Sequence, residues 1–225
     1  MKVISFSDAC LAPMKDFIII GHKAVTGTFS LNDLPGAAGR MDILCRCVNA
    51  ALFLSHDIRR DVRVFLVLKG GPSPSKLVCF DGSAVRYLSP DERSAASLIK
   101  KALEKNAQDF WTESTPGVSV RKGDFDILLK ELDKKIIYLR EDGEDIRSKG
   151  FDRPSDLLFV LGDHLGLTGD EERVVMGYYP EIISVGPLSL HADHCIVLLH
   201  NEMDREQTRE TYLEHRVQCE PDDNP

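Results

Sequence analysis

Hydrophobic positions along the chain follow two periods, one typical of buried strands and one of amphipathic helices. Residues 17–20 form a short β-branched apolar run that Gly21 ends, which predicts a buried strand. Over residues 41–55 the apolar positions recur at helical spacing, which predicts a helix with one buried face. Residues 61–71 predict a second strand, and the stretch KLVCFDG is expected to pair with it as a hairpin.

The stretch SPDERSAASLIKKALEK carries the signals of a helix start. Ser89 is a plausible N-cap, Pro90 would take the first helical position and Glu92 would complete a capping box. The sequence therefore predicts that this helix begins directly after Ser89.

In the second half of the chain, short apolar runs alternate with amphipathic segments. Strands are predicted over residues 117–120, 135–139, 157–161 and 182–185, and helices over residues 124–133, 169–176 and 188–203. Such alternation is typical of a mostly parallel α/β sheet with helices on both faces. Residues 15–204 are expected to form a single domain.

The two ends of the chain differ from this pattern. Met14 stands immediately before the first strand, so residues 1–14 are interpreted as an N-terminal extension, and residues 205–225 as a polar tail. No apolar run is long enough to span a bilayer, and the first residues are too weakly apolar for a convincing signal peptide. We therefore expect a cytoplasmic protein without membrane contacts.

Charge changes the picture more than composition does. The chain is 43% hydrophobic and 28% charged, which is ordinary for a soluble globular protein. The net charge of -8 argues against a general polyanion binder. However, residues 1–110 have a basic excess and residues 111–225 an acidic excess, so a local nucleic-acid surface remains compatible with the sequence.

The stretch HADHC places His191, His194 and Cys195 where one helical face could present all three, as a zinc site would require. It leads directly into an apolar helical stretch, however, and Cys195 shares a stripe with Leu188, Leu198 and Leu199. A packed or ligand-contacting cysteine is therefore favoured over a metal ligand. The six cysteines lack paired CxxC spacing, which indicates reduced thiols.

Three predicted strands end in loops of small residues: the stretches YLREDG, LGDHLG and SVGPLSL. Ligands of open α/β sheets gather at the carboxyl ends of strands, and glycine lets a ligand approach main-chain atoms. These loops are therefore either ordinary connections or three walls of one pocket. The absence of a GxGxxG motif disfavours a dinucleotide site.

Six blocks of the sequence, and the order in which they occur, resemble those of the archaeal tRNA pseudouridine-54 N1-methyltransferases of the SPOUT superfamily. These blocks begin at LNDLPGAAGRMDILCRC, SPDERSAASLIKKAL, STPGVSV, YLREDGEDI, LGDHLGLT and SVGPLSLHADHC, and the resemblance covers residues 15–204. It implies S-adenosylmethionine as cofactor, a homodimer, tRNA as partner, and a C-terminal trefoil knot, which is an exception to the near-absence of knots.

The resemblance also implies site residues. The cofactor contacts carry over to Leu139, Gly162, Ser184, Val185, Gly186, Pro187, Leu188, Ser189 and Cys195. Relatives often carry a Leu-Ser-like pair where this chain has Val185 and Gly186, so a hydroxyl contact at position 186 is in doubt. The threaded Gly-Pro segment would face the cofactor, and no metal is then needed.

A cluster in HDIRRDV is the second implied site. A solvated turn with local salt bridges would account for it without the resemblance. The resemblance implies that Arg59 and Arg60 hold tRNA phosphates, and that Arg60 and Asp61 act at the target base. Weaker candidates for the same surface are Arg40, Arg46, Arg86 and Arg93.

The implied reaction is methylation of N1 of pseudouridine at position 54 in tRNA. N1 carries a proton that must leave, and Asp61 could accept it or could only position an arginine. The target base would have to leave its stack. Two alternatives are a related enzyme acting on ribosomal RNA and a non-catalytic RNA-binding dimer of the same fold.

Overall fold

The computed structural model describes residues 3–4, 14–73, 75–149, 151 and 157–218, and these form a mixed sheet flanked by helices. The nine strands of the described residues are β1 Val3–Ile4, β2 Lys15–Gly21, β3 Val62–Leu68, β4 Lys76–Asp81, β5 Trp111–Thr115, β6 Val118–Lys122, β7 Lys135–Asp145, β8 Leu157–Gly162 and β9 Glu181–Ser184. The helices are α1 Met41–Leu52, α2 Glu92–Leu103, α3 Phe125–Leu132, α4 Ile146–Lys149, α5 Gly169–Met176 and α6 Ala192–Gln218.

The sheet has the strand order β1-β5-β6-β4-β3-β2-β8-β7-β9. Strands β3, β2, β8, β7 and β9 run parallel, whereas β4, β6, β5 and β1 are joined by antiparallel pairing. The expectation of a mostly parallel sheet is therefore corrected to a mixed α/β sheet. The cause is the short connection between β3 and β4, because only antiparallel neighbours can be joined by a tight turn.

The central strand β2 explains why helices lie on both faces. Phe17 and Ile19 face one core, shared with α1, α2 and α6, while Ile18 and Ile20 face a second core with α3 and α5. Successive side chains of a strand point to opposite faces, so a continuous apolar run requires cover on both sides. This arrangement confirms the predicted two-sided helical cover.

Several predicted boundaries differ from the structure. Helix α2 begins at Glu92 with Asp91 as its N-cap, whose carboxylate accepts a hydrogen bond from the amide of Ser94, so Ser89 and Pro90 do not start it. Asp91 suits the position because its short acidic side chain reaches the third helical amide.

The two ends of the chain also depart from expectation. Helix α6 begins at Ala192 rather than at residue 188 and continues to Gln218, through part of the segment interpreted as a tail. Val3–Ile4 pairs antiparallel with β5, so part of the interpreted N-terminal extension joins the sheet. The rest of residues 1–13 and residues 219–225 lie outside the described residues. Within the described part, no helix is long and apolar enough to cross a membrane.

Candidate active site

A cavity of about 570 Å³ lies at the carboxyl ends of β7, β8 and β9. Residues 138–142, 161–167, 183–186 and 188–190 line it, together with the first turn of α6. The three strands are parallel, so their carboxyl ends meet at one edge of the sheet and their loops face a common space. Its volume lies within the usual range of small-molecule sites.

The cavity brings together eight of the nine residues expected to contact the cofactor. Those lining it are Leu139, Gly162, Ser184, Val185, Gly186, Leu188, Ser189 and Cys195. Pro187 lies within the same loop but is not among the lining residues. Their shared location makes a common ligand geometrically possible, and their role in binding a cofactor stays a prediction.

The loop after β9 closes on itself through Ser184. Its hydroxyl donates to the carbonyl oxygen of Gly186 at 2.8 Å and accepts from the amide of Gly186 at 3.3 Å. A Cβ at Gly186 would meet no heavy atom within 4 Å. The loop therefore offers open main chain to the cavity at Gly186.

Gly162 is required by a close main-chain contact. A Cβ at this position would lie 2.3 Å from the carbonyl carbon and oxygen of Gly166, because the chain turns back beside the end of β8. Gly166 itself has a φ of 71°, in the left-handed region that favours glycine. A side chain at Gly162 would therefore displace the wall formed by residues 163–167, rather than merely enter the cavity.

Cys195 lies in the first turn of α6 at the edge of the cavity. Its Sγ is 3.9 Å from the carbonyl oxygen of Leu190, and burial raises the pKa of the thiol, with Asp193 adding to the rise. Both contributions favour the thiol over the thiolate, which is the form that binds metals. The rings of His191 and His194 stack with centroids 5.5 Å apart, and no metal-binding group of three side chains was found among the described residues.

The cluster of Arg59, Arg60 and Asp61 lies at the opposite edge of the sheet, where β3 begins. The Lys15 amide donates to the carbonyl oxygen of Asp61, and the Asp61 carboxylate pairs with the ammonium of Lys15 at 2.8 Å. Ile20 pairs with Gly162 at the cavity, and the distance along β2 from Lys15 to Ile20 is roughly 17 Å. A single chain therefore does not bring Asp61 to the cavity.

The two arginines differ in availability. Arg59 forms a two-pronged contact with Asp204 of α6 at 2.9 and 2.5 Å and has 12% of its side chain exposed. Arg60 is 55% exposed and donates to the carbonyl oxygen of Gly82. Arg60 is thus the freer of the two for an external phosphate, and the RNA-binding roles of both arginines stay predictions.

The remaining candidate arginines also separate into two groups. Arg46 contacts Asp42 at 3.1 Å, Glu92 at 3.3 Å and Asp193 at 3.5 Å, so it ties α1 to α2 and α6. Arg40 is paired with Asp42 as well. Arg86, in contrast, is exposed and lines a shallow depression with Arg60. Arg93 contacts Asn32 and is exposed.

Three polar residues beside the cavity were missed in the sequence. Asp163 follows β8, His22 follows β2 and Glu171 lies in the first turn of α5, and the His22 ring lies between the two carboxylates. A detectable signal existed, because His22 and Asp163 each come directly after a glycine that ends a buried strand.

The cavity suits S-adenosylmethionine on chemical grounds. Exposed apolar side chains such as Leu188 and Leu190 could cover an adenine, and open main chain at Gly186 could bind its polar edges. The exposed carboxylate of Glu141 suits a positive charge of the ligand, while Arg140 and Asp142 pair with each other at the cavity wall at 2.5 and 2.6 Å. The donor set therefore fits this cofactor.

Comparison with known proteins gives a consistent assignment. The model of the SAM-dependent RNA methyltransferase family matches residues 14–208. The "tRNA (pseudouridine(54)-N(1))-methyltransferase" of Methanococcoides burtonii is 57% identical over 196 residues, which cover 85% of this chain and 96% of that protein. The protein of the same name from Methanosarcina acetivorans is 59% identical over 195 residues, covering 85% and 92%.

Among solved structures, Archaeoglobus fulgidus Nep1 bound to S-adenosylhomocysteine matches with a TM-score of 0.60 and 14% identity, covering 87% of this chain and 99% of that one. At this identity the match supports the fold alone. The family model and the relatives extend over both edges of the sheet described above, and the chain belongs to the family of S-adenosylmethionine-dependent RNA methyltransferases.

Proposed function

We propose that this chain transfers a methyl group from S-adenosylmethionine to N1 of pseudouridine 54 in tRNA. The observation that carries this proposal is the identity of more than half of the aligned residues to archaeal proteins named for that reaction, over 85% of the chain. The cavity at the carboxyl ends of β7, β8 and β9 supports it, because its lining fits the cofactor.

The chain's own residues would bind and orient the cofactor in this cavity. Main chain at Leu139, Val185 and Leu188 and the small residues Gly162 and Gly186 would hold it, with Ser184, Pro187, Ser189 and Cys195 around them. When bound, S-adenosylmethionine supplies an activated methyl group, so the protein contributes mainly alignment.

The proton on N1 of pseudouridine requires an acceptor, and we assign that role to Asp61. Its carboxylate is 46% exposed and pairs with Lys15 rather than with Arg59 or Arg60, so it is accessible to an RNA base. Arg60 would hold a neighbouring phosphate, with Arg86 on the same surface. Arg59, held by Asp204, would shape this surface.

This assignment needs two subunits. Within one chain the cavity and Asp61 lie at opposite edges of the sheet, so we infer a homodimer in which Asp61 of the partner subunit approaches the cavity. Leu188 is 74% exposed and Val197 of α6 is 53% exposed, which gives the region around the cavity apolar surface that a second subunit could cover.

A trefoil knot is supported by the strand pairing around β9. Ile183 pairs with Leu139 and again with Glu144 of the same strand β7, so residues 140–143 form a bulge beside the end of β9. A Cβ at Gly143 would lie 2.6 Å from the Ile183 main chain, which shows how closely the two segments pass. We infer that the segment after β9 is threaded through this loop.

We further infer that residues 15–204 form the core of the methyltransferase domain of a cytoplasmic enzyme, which β1 and the last turns of α6 extend into residues 1–14 and 205–225. The family match over residues 14–208 agrees with the first boundary and places the second within α6.

The decisive experiment is methylation of tRNA transcripts that carry either pseudouridine or uridine at position 54, with a pseudouridine-containing ribosomal hairpin as the competing substrate. We expect mass spectrometry to show 1-methylpseudouridine only in the modified tRNA. Methylation of the ribosomal hairpin instead would favour a ribosomal RNA enzyme. Failure to bind S-adenosylmethionine in calorimetry would favour a non-catalytic RNA-binding dimer.

A further inference from the structure

The His22 imidazole lies between two carboxylates that belong to different parts of the cavity wall. Nδ1 is 3.1 Å from Oδ1 of Asp163, and Nε2 is 2.8 Å from Oε2 of Glu171. Asp163 and Glu171 have side chains only 3% and 6% exposed. The three groups come from the ends of β2 and β8 and from the first turn of α5.

This geometry favours the charged form of the ring. Carboxylates only accept hydrogen bonds, so the ring can donate to both of them only as an imidazolium. Burial favours the neutral carboxyl of Glu171, but Lys69, His22 and Thr168 outweigh it and lower its pKa to about 2. Glu171 is therefore ionised at every pH at which the protein would be used.

The other charges around the ring complete the balance. Lys69 from the end of β3 contacts Glu171 at 2.8 Å and Asp124 at 3.3 Å, while His164 lies 3.7 Å from Asp163. Burial alone would lower the pKa of His22, but the hydrogen bonds to Glu171 and Asp163 outweigh it, so the pKa is raised above its ordinary value of 6.5.

The two carboxylates hold both ends of one cavity wall. Asp163 accepts from the amide of Leu165 at 2.9 Å, and Glu171 accepts from the amide and the hydroxyl of Thr168 at 2.8 Å each. Residues 163–167 all line the cavity. A single ring therefore bridges the beginning and the end of this wall.

We propose that His22 is a positioning residue whose charged ring fastens the loop of residues 163–168 in the shape that binds S-adenosylmethionine. The inference rests on the proposed cofactor site. Its consequence is a pH dependence of binding: affinity is complete below pH 6.5, where the ring is charged with or without its partners, and falls as the pH rises through the raised pKa of His22.

The test is calorimetric titration of the full chain with S-adenosylhomocysteine from pH 6 to pH 10. We expect His22→Gln, which can serve only one carboxylate as a donor, to bind about tenfold more weakly at pH 6.5, in keeping with the loss of a charged hydrogen bond. The wild-type affinity should fall at alkaline pH more steeply than that of His22→Gln. Titration of the ligand's own amino group affects both affinities equally, so it cancels in the comparison of the two proteins. His56→Gln, an exposed histidine near the opposite edge, is the matched control and should follow the wild type.

Two further measurements separate positioning from general loss of structure. Glu171→Gln removes one anionic acceptor, so the alkaline fall should move to lower pH, a shift that a merely structural role would not produce. In the ligand-free protein, hydrogen exchange at the amides of Leu165 and Thr168 should be faster in His22→Gln than in the wild type at the same pH. The measurement on Glu171→Gln remains informative if His22→Gln folds poorly.

The outcomes distinguish the two proposals. If the wild type binds S-adenosylhomocysteine at no pH, the proposed cofactor site is wrong. If it binds, and His22→Gln shows the same affinity and pH profile, the fastening role of His22 is wrong while the site stands. An unchanged profile in Glu171→Gln would likewise overturn the role of the charged ring.

Discussion

The two edges of the parallel sheet are built differently, although both carry residues proposed for the reaction. At the carboxyl edge, three loops of one chain enclose a cavity, with small residues where chain segments pass closely. At the amino edge, Asp61 and Arg60 stand on an open surface, and their contacts are made with Lys15 and Gly82. Enclosure suits a small ligand and openness suits a polymer such as tRNA.

A single chain forms the whole of the proposed cofactor cavity but does not bring the proposed proton acceptor to it. The cavity needs only the parallel order of β8, β7 and β9, whereas proton removal by Asp61 would need a second subunit. Substitutions at the carboxyl edge should therefore affect cofactor binding by the free protein, and those at the amino edge should affect tRNA or turnover.

The largest effect is expected for Gly162→Ala. Its Cβ would lie 2.3 Å from the Gly166 main chain, so the wall must move, and cofactor binding should fall below detection in calorimetry. Gly169→Ala is the matched control, because a Cβ there meets nothing within 4 Å. Normal binding by Gly162→Ala would show that the cavity wall is not rigid, and would contradict the contrast between the enclosed cavity and the open surface.

Asp61→Asn should lower the turnover number about a hundredfold, the usual contribution of a proton acceptor, while leaving cofactor and tRNA binding nearly unchanged. Its rate should climb with pH as N1 loses its proton unaided. Lys15→Met is the control, since it removes the ion pair with Asp61 and keeps the carboxylate. A flat pH profile with weakened tRNA binding would show that Asp61 only positions its neighbours.

Arg60→Ala should weaken tRNA binding severalfold and lower the slope of affinity against salt by about one phosphate contact. Filter binding at increasing salt measures both quantities, and cofactor affinity should not change. The comparison with Arg86→Ala is informative because both arginines line the same depression. If the slope stays at its wild-type value, Arg60 does not contact a phosphate.

Cys195→Ser should give the smallest effect, about a twofold to fivefold loss of cofactor affinity, because the change replaces a partly buried thiol with a smaller and more polar group. Elemental analysis should find no stoichiometric metal in either form. Zinc that is present in the wild type and lost in Cys195→Ser would contradict the pocket role.

The sequence predicted the parts of the fold that depend on local pattern. Helix α5 has its predicted bounds, and β2 extends its predicted run by a few residues, because apolar period and flanking turns define both. Strand β5 was missed because its stretch WTEST has little hydrophobic alternation and gains its place from pairing with β6. The start of α2 could not be predicted without knowing that Asp91, and not Ser89, accepts the hydrogen bond from the amide of Ser94.

The candidate site could be predicted as far as the order of the parallel strands could be predicted. Gly162 and Ser184 end parallel strands, and Leu139 follows the part of β7 that pairs with β8, so these residues meet by a rule that sequence reasoning could apply. The contact between His22 and Glu171 could not be anticipated, since these residues are far apart in the chain and no spacing relates them. The separation of Asp61 from the cavity likewise depends on the strand direction of β3 beside β2.

The pairing of Val3–Ile4 with β5 has a consequence for the behaviour of the protein at high concentration. Without β1, the five residues of β5 would form an outer strand with unpaired amide and carbonyl groups, which invites association with other chains. A chain shortened to begin at Met14 would then keep its catalytic parts intact and still be more prone to aggregate. The short strand β1 would therefore help to keep the protein soluble, at the outer position of the sheet opposite β9 and the cavity.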